Sequence, residues 1–136
     1  MNPLYTTVAA RAGHRCEYCQ APEAVFNFPF EVEHIVPPVR GGADAMENLA
    51  LACRSCNLFK SDCVAVRVDH ATDTCRLFDP RRDVWSEHFT VDLETGVIRG
   101  MTTIGRATIQ QLRMNSANQT TARRQWTRLG LFPRDE

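Results

Sequence analysis

The sequence predicts an α+β protein organised around four cysteines. Two C-x-x-C pairs, Cys16 with Cys19 and Cys53 with Cys56, enclose a stretch with apolar runs that are typical of β-strands. Helical patterns lie before the first pair and at the end of the chain. With 136 residues, 43% of them hydrophobic, the chain suits one domain with a small extension.

The first element is a predicted helix over residues 3–13. Its apolar positions follow a spacing of four residues, and Gly13 can end it; these positions are Leu4, Val8 and Ala12. The first cysteine pair follows this helix directly.

The middle of the chain is predicted to fold as a hairpin, a loop and a short helix. Residues 24–37, AVFNFPFEVEHIVP, have apolar runs split by a polar and proline-containing step, which favours a β-hairpin within this stretch. Residues 37–48 have the proline, glycine and aspartate content of a surface loop. Residues 49–52, LALA, are too few for periodicity to decide their type, and residues 53–62 predict a short helix carried on the second cysteine pair.

The rest of the chain is predicted to form a second hairpin and two helices. Residues 88–102 alternate around a Glu-Thr-Gly turn at 94–96. Residues 104–114 and 117–129 have helical periodicity. We expect a soft boundary near residue 62, so that residues 1–62 form the core and residues 63–136 an extension packed on it.

The two cysteine pairs predict a structural zinc site. Each pair can place two thiolates on one tetrahedral ion, and four thiolates leave no open position for chemistry. The 33 residues from Gln20 to Ala52 leave room for a hairpin and a functional loop between the halves of the site. Cys63 and Cys75 fit no ligand pattern that would join them with His70 in a second metal site, so free thiols are expected there.

Net charge is zero, but the positive charge is unevenly distributed. Residues 104–134 contain six arginines and no acid, and Lys60 is the only lysine. Arginine suits bidentate contacts to phosphate, although a GC-rich genome favours arginine equally. The residues proposed as nucleic-acid contacts are Arg40, Lys60, Arg123 and Arg124.

A reaction centre is predicted from three polar residues, Glu33 and His34 before the loop and Asn57 next to Cys56. If a strand ends at His34 and a helix begins near Cys56, Glu33 and Asn57 could bind one cation through oxygen. Carboxylate and amide oxygens are hard ligands suited to Mg²⁺ or Mn²⁺. A neighbouring histidine, with a pKa near neutrality, can take a proton from an attacking water.

The same stretch resembles the HNH endonuclease family, also called His-Me finger or ββα-metal nucleases. The matching elements are C-E-Y-C, E-H-I-V-P, R-G-G-A-D, E-N-L-A-L-A-C and R-S-C-N-L-F-K, which together cover residues 16–62. The tail from residue 77 onward is similar to that of small stand-alone bacterial HNH proteins. The resemblance implies a zinc-stapled ββα-metal core with an N-terminal helix.

The resemblance also implies a role for four residues. His34 corresponds to the general base, and Glu33 to the acidic metal ligand before it, which is usually aspartate. Asn57 corresponds to the second metal ligand, histidine in some members, and Asn48 to the residue that fixes the loop and orients the histidine. The implied reaction is hydrolysis of DNA phosphodiester bonds with a single Mg²⁺ or Mn²⁺ ion.

Two alternatives stay open at this point. The chain could be a non-catalytic, zinc-stabilised module that binds nucleic acid or protein, or it could be a ribonuclease. No apolar run approaches the roughly 20 residues of a bilayer span, and no signal peptide is recognisable, so a soluble cytoplasmic protein without membrane partners is expected. Whether it forms a homodimer is left open.

Overall fold

The computed structural model of the protein describes residues 2–68 and 72–134, and within these ranges it mixes helices with two-stranded antiparallel sheets. The helices are α1 (Tyr5–Arg11), α2 (Arg54–Lys60), α3 (Trp85–His88), α4 (Thr103–Leu112) and α5 (Ala117–Arg128). The strands are β1 (Glu31–His34), β2 (Leu49–Ala52), β3 (Ala65–Arg67), β4 (Thr74–Arg76), β5 (Phe89–Asp92) and β6 (Val97–Gly100). The predicted α+β class is therefore confirmed.

Strands β1 and β2 pair directly, and helix α2 follows at once. In their antiparallel register Glu31 lies opposite Ala52, and His34 lies opposite Leu49. All four residues of β2 are buried, which makes this short strand the centre of the core. The Cys53 thiol accepts a hydrogen bond from the Cys56 backbone N–H at the start of α2, which caps the helix.

The prediction of a β-hairpin within residues 24–37 is wrong. Residues 23–25 form a single 3-10 turn, and only residues 31–34 become a strand, which pairs with β2 beyond the loop. The buried Glu23 carboxylate accepts hydrogen bonds from the Tyr5 hydroxyl at 2.6 Å and the Phe30 backbone N–H at 2.7 Å. This side chain holds the segment before β1 as a loop, which leaves it no backbone partner for a hairpin.

The N-terminal part of the chain is bound tightly to β2. Arg11 of α1 donates to the carbonyl oxygens of Met46 at 2.8 Å and Leu49 at 2.5 Å. The backbone N–H of Glu17 donates to Leu51 O at 2.8 Å, and the Glu17 carboxylate accepts from Leu51 N at 2.8 Å. The first cysteine pair is thereby fixed next to the strand that leads to the second.

The C-terminal part contains one hairpin that the sequence did not predict, β3–β4. The predicted hairpin β5–β6 and the predicted helices α4 and α5 are present. The Trp85 indole donates to Tyr18 O at 2.7 Å, and Gln111 of α4 donates to Phe59 O at 2.9 Å, so Trp85 and α4 contact the segments that carry the two cysteine pairs. Among the described residues no helix has the length and apolar content to cross a membrane.

Candidate metal centre and polar site

The four cysteines of the two C-x-x-C pairs meet in one buried cluster, described here as the four-cysteine cluster (Cys16, Cys19, Cys53, Cys56). Their sulfur atoms all lie within 4.8 Å of one another, and Cys19 Sγ is 3.8 Å from Cys53 Sγ. A tetrahedron with Zn–S bonds of about 2.3 Å has edges of about 3.8 Å. The cluster therefore has the donor set and the spacing of a tetrahedral thiolate site and can hold a metal such as zinc.

The thiols of the cluster influence one another's pKa values. Hydrogen bonding from Cys16 and the other thiols lowers the pKa of Cys19 well below its ordinary value. Hydrogen bonding with Cys16 and Cys19, together with burial, raises the pKa of Cys53 and Cys56 well above theirs. One thiolate is thus stabilised by hydrogen bonds from its neighbours, and a bound metal ion would be needed to stabilise all four as thiolates.

The remaining cysteines lie outside this cluster. Cys63 and Cys75 are half-buried and form no disulfide, and Cys75 lies on β4 opposite Val66. His70, considered with them from the sequence, lies outside the described residues.

His34 ends β1 with its side chain a quarter exposed. Its Nε2 lies 3.1 Å from Oδ1 of Asp44, which comes from the loop between β1 and β2 and is itself largely exposed. An ionised carboxylate can only accept, so Nε2 is the donor in this pairing. This hydrogen bond orients the imidazole through Nε2.

Asn48 closes the loop that separates β1 from β2. Its Oδ1 accepts from Val36 N at 2.9 Å, and its Nδ2 donates to Val36 O at 2.9 Å and to Ala43 O at 2.7 Å. Its backbone O accepts from Ile35 N at 2.9 Å. The loop can close this tightly because residue 42 is glycine: a Cβ there would lie 1.6 Å from Val36 O.

Glu33 points into the interior of the protein, with 4% exposure. Its Oε2 accepts from the Tyr18 hydroxyl at 2.8 Å, and its Oε1 lies 2.5 Å from Lys60 Nζ. Oε1 accepts no well-directed hydrogen bond from the described chain, but at this distance the two charges are in direct contact. Burial raises the pKa of Glu33, and the Lys60 ammonium opposes that rise.

Lys60 is buried as completely as its partner, with 1% exposure. Its Nζ also donates to Ile35 O at 2.9 Å and to His34 O at 3.3 Å. The ammonium therefore joins helix α2 to the end of β1, and it does not face solvent as the sequence-based expectation of a phosphate contact required.

The carboxylate that meets Asn57 is Glu31. The Asn57 Nδ2 group donates to Glu31 Oε2, and the Arg54 guanidinium lies 3.9 Å from the other oxygen. All three side chains are at least partly exposed, and an open cleft of about 420 Å³ lies beside Glu31, Asn57 and Tyr5. The predicted neighbours Glu33 and Asn57 thus have different partners in the structure.

The other predicted nucleic-acid contacts divide by exposure. Arg40 is exposed and donates to Asp62 O at 2.6 Å, and Arg124 is half-exposed and donates weakly to Thr95 O at 3.4 Å. Arg123 was expected to contact nucleic acid, but its side chain does not face solvent. Its exposure is 0%, and it donates to backbone carbonyl oxygens.

Sequence reasoning missed two partner side chains: Glu31, which contacts Asn57, and Asp44, which contacts His34. Glu31 had a usable signal, because residues two apart on a strand share a face, so Glu31 and Glu33 lie on the same side of β1. Asp44 had none, since only the folded loop brings it to His34.

Comparison with known proteins adds one finding. Residues 16–62 match the family model described as HNH endonuclease. No curated protein sequence and no solved structure gives a significant match to the chain. The matched segment contains the four-cysteine cluster together with His34, Asn48 and Asn57. Residues 16–62 are therefore the part of this chain that matches an HNH endonuclease domain, and the family indicates a nuclease-type function in general terms.

Proposed function

We propose that the protein is a metal-dependent endonuclease that hydrolyses phosphodiester bonds of DNA, with His34 as the general base. The observation that carries the proposal is the oriented imidazole of His34 within a segment that matches the HNH endonuclease family. His34 lies at the end of β1. The same strand begins with Glu31, whose carboxylate contacts Asn57 of helix α2.

His34 would take the proton of the attacking water on Nδ1. Because Nε2 is paired with Asp44, the imidazolium that forms would keep a carboxylate partner. Asn48 would support this step indirectly, since its hydrogen bonds fix the loop that presents Asp44.

A Mg²⁺ or Mn²⁺ ion would be held by the Asn57 amide oxygen and a β1 carboxylate, which are hard ligands. When bound, such an ion stabilises the charge that develops on the phosphate and on the leaving oxygen. The four-cysteine cluster would hold zinc in a purely structural role, since four thiolates leave no open position.

DNA would contact the exposed guanidinium groups near this site. Arg40, in the loop after His34, is exposed and is the contact proposed next to the site. Arg124, which is half-exposed beside the β5–β6 turn, is proposed as a more distant phosphate contact, whereas Arg123 and Lys60 are buried and are not part of the proposed interface. Because each chain would have one active site, cutting both strands would favour a homodimer, and a monomer would nick.

The test is plasmid cleavage by zinc-loaded protein with Mg²⁺ or Mn²⁺. His34→Ala should lower the rate by about 10²-fold or more, which is typical for loss of a general base, while zinc content and folding stay unchanged. The matched control is His14→Ala, which removes an exposed histidine whose partner is Glu23.

Undiminished cleavage by His34→Ala would contradict the assignment of the base. Protein that shifts the mobility of DNA but never cuts it, with any divalent ion, would instead be a binding module. Faster cleavage of a matched RNA substrate than of DNA would identify a ribonuclease.

A further inference from the structure

We infer that Glu31, and not Glu33, is the carboxylate that holds the divalent cation together with Asn57. The inference rests on the proposed metal-dependent function and assigns its ion to a specific pair of side chains. Three features support it: the engagement of Glu33, the register of α2 along β1, and the surroundings of Glu31.

Glu33 is already neutralised by Lys60. The ammonium lies 2.5 Å from Oε1 and has two backbone carbonyls as further acceptors, so it is held in place from three directions. A divalent ion on the same carboxylate would stand next to this buried positive charge with little solvent to screen it. Moving Lys60 away would strand the ammonium in the interior, where an unpaired charge is strongly unfavourable.

The register of α2 along β1 separates the two carboxylates. Asn57 and Lys60 lie three residues apart on the helix, a rise of about 4.5 Å, and they meet Glu31 and Glu33, which lie two residues apart on the strand. Lys60 thus takes the position beside Glu33, and Asn57 takes the position beside Glu31. In this register Asn57 contacts Glu31, and the carboxylate of Glu33 is taken by Lys60.

The surroundings of Glu31 suit an ion. Its carboxylate is partly exposed and in contact with the Asn57 amide, whose rotation would present Oδ1 next to the carboxylate oxygen. The cleft of about 420 Å³ beside them has room for the waters and phosphate oxygens that complete the coordination of Mg²⁺ or Mn²⁺.

Arg54 is the one positive group in contact with Glu31 in the described chain, at 3.9 Å. Its side chain is 73% exposed, and such surface pairs contribute about 1 kcal/mol or less. An arriving ion can therefore displace it, and the freed guanidinium would remain near the phosphate.

The experiment measures Mn²⁺ affinity from the electron paramagnetic resonance signal of free Mn²⁺, using zinc-loaded full-length protein. Glu31→Gln should weaken Mn²⁺ binding at least about tenfold, because it removes a charged ligand. The double variant Glu33→Gln/Lys60→Met, which removes the buried pair without changing net charge, should weaken it less than about threefold. Glu94→Gln, an exposed carboxylate in the β5–β6 turn, is the control for loss of surface charge.

If Glu31→Gln lowers the affinity for Mn²⁺ by less than tenfold, the inference is overturned, whether or not the double variant folds. A tenfold or greater decrease of Mn²⁺ affinity in the folded double variant also overturns the inference. Plasmid cleavage by the same samples separates the two proposals. Wild-type protein that binds Mn²⁺ through Glu31 but does not cut refutes the nuclease function alone, and cleavage with undiminished Mn²⁺ binding by Glu31→Gln refutes the inference alone.

Discussion

Arg123 is the residue whose environment differs most from the expectation. Its guanidinium donates to Gly96 O and, at 2.8 Å, to Met114 O, while its Nε has no acceptor in the described chain. Burial lowers the pKa of Arg123, and the nearby thiols of the four-cysteine cluster oppose that effect. Arg123 therefore joins α5 to the β5–β6 turn and contributes positive charge towards the cluster.

Replacing this side chain should destabilise the protein. Arg123→Met leaves two buried carbonyl oxygens without donors, so the free energy of unfolding should fall by about 2–4 kcal/mol. Denaturant unfolding of zinc-loaded protein measures this. Zinc affinity, followed by competition with a chelator, should fall as well, because the cluster loses a nearby positive charge.

The neighbouring Arg124→Met is the matched control, since Arg124 is half-exposed and makes only weak contacts. Its effect on unfolding should stay within about 0.5 kcal/mol. If Arg123→Met were as stable as wild type and weakened only DNA binding, the structural role would be refuted.

At the scale of elements, the loop between β1 and β2 depends on close backbone contact. Asn48 bonds to both sides of the loop, and Gly42 lies against Val36 where no side chain fits. The loop in turn presents Asp44 to His34. A substitution at Gly42, where the loop lies against Val36, should therefore change the position of Asp44 and, through it, of the His34 imidazole.

Gly42→Ala should open this loop. Its added methyl group would overlap Val36 O, so we expect a loss of at least about 2 kcal/mol in unfolding free energy, and a changed side-chain amide resonance of Asn48 by NMR. The adjacent Gly41→Ala is the control: it meets no atom within 4 Å but has a φ of +87°, so it should cost only about 1–2 kcal/mol. A smaller loss for Gly42→Ala than for Gly41→Ala would contradict the steric explanation.

Elements with strong local signals were predictable, and those defined by distant partners were not. The periodic helices α1, α4 and α5 and the β5–β6 hairpin agree with the sequence within a few residues. The partner of β1 could not be predicted, because β2 is four residues long and lies across a loop. The β3–β4 hairpin was missed because its strands have only three residues each.

At the scale of the whole molecule, the four-cysteine cluster joins segments that are far apart in the chain. Cys16 and Cys19 lie between α1 and β1, and Cys53 and Cys56 lie at the start of α2. The C-terminal part then packs on the first pair through the Trp85 indole. Loss of a metal from the cluster should thus affect both the segments that carry the cysteines and the C-terminal part that contacts them.

Removing the zinc that we propose for the four-cysteine cluster should unfold the protein cooperatively. Structural zinc contributes about 10–16 kcal/mol to such sites, which is comparable to the whole stability of a domain, about 5–15 kcal/mol. Dialysis against a chelator, or Cys16→Ser, should remove the near-ultraviolet circular dichroism and the dispersed NMR spectrum. Elemental analysis should give about one zinc per folded chain.

Cys63→Ser is the control, because that cysteine is half-buried and lies outside the cluster. It should keep both zinc and fold. A chelated protein that retains its dispersed NMR spectrum would show that the hydrophobic core alone is sufficient.

The candidate site was predictable only in part. Spacing was enough to identify the cysteine pairs, because two thiolates three residues apart share one ion. It did not reveal that Glu33 pairs with Lys60, since this depends on how α2 lies along β1. The sequence alone does not indicate whether a charged side chain will face solvent or pair with a buried partner.

The burial of Lys60 has a chemical consequence for handling the protein. Lys60 is the only lysine of the chain, and its Nζ is enclosed by Glu33 and two carbonyl oxygens. Amine-reactive dyes and crosslinkers should therefore leave the side chains of the folded protein unmodified. Acylation of Lys60 would report unfolding, which turns a single ε-amino group into a probe of the native state.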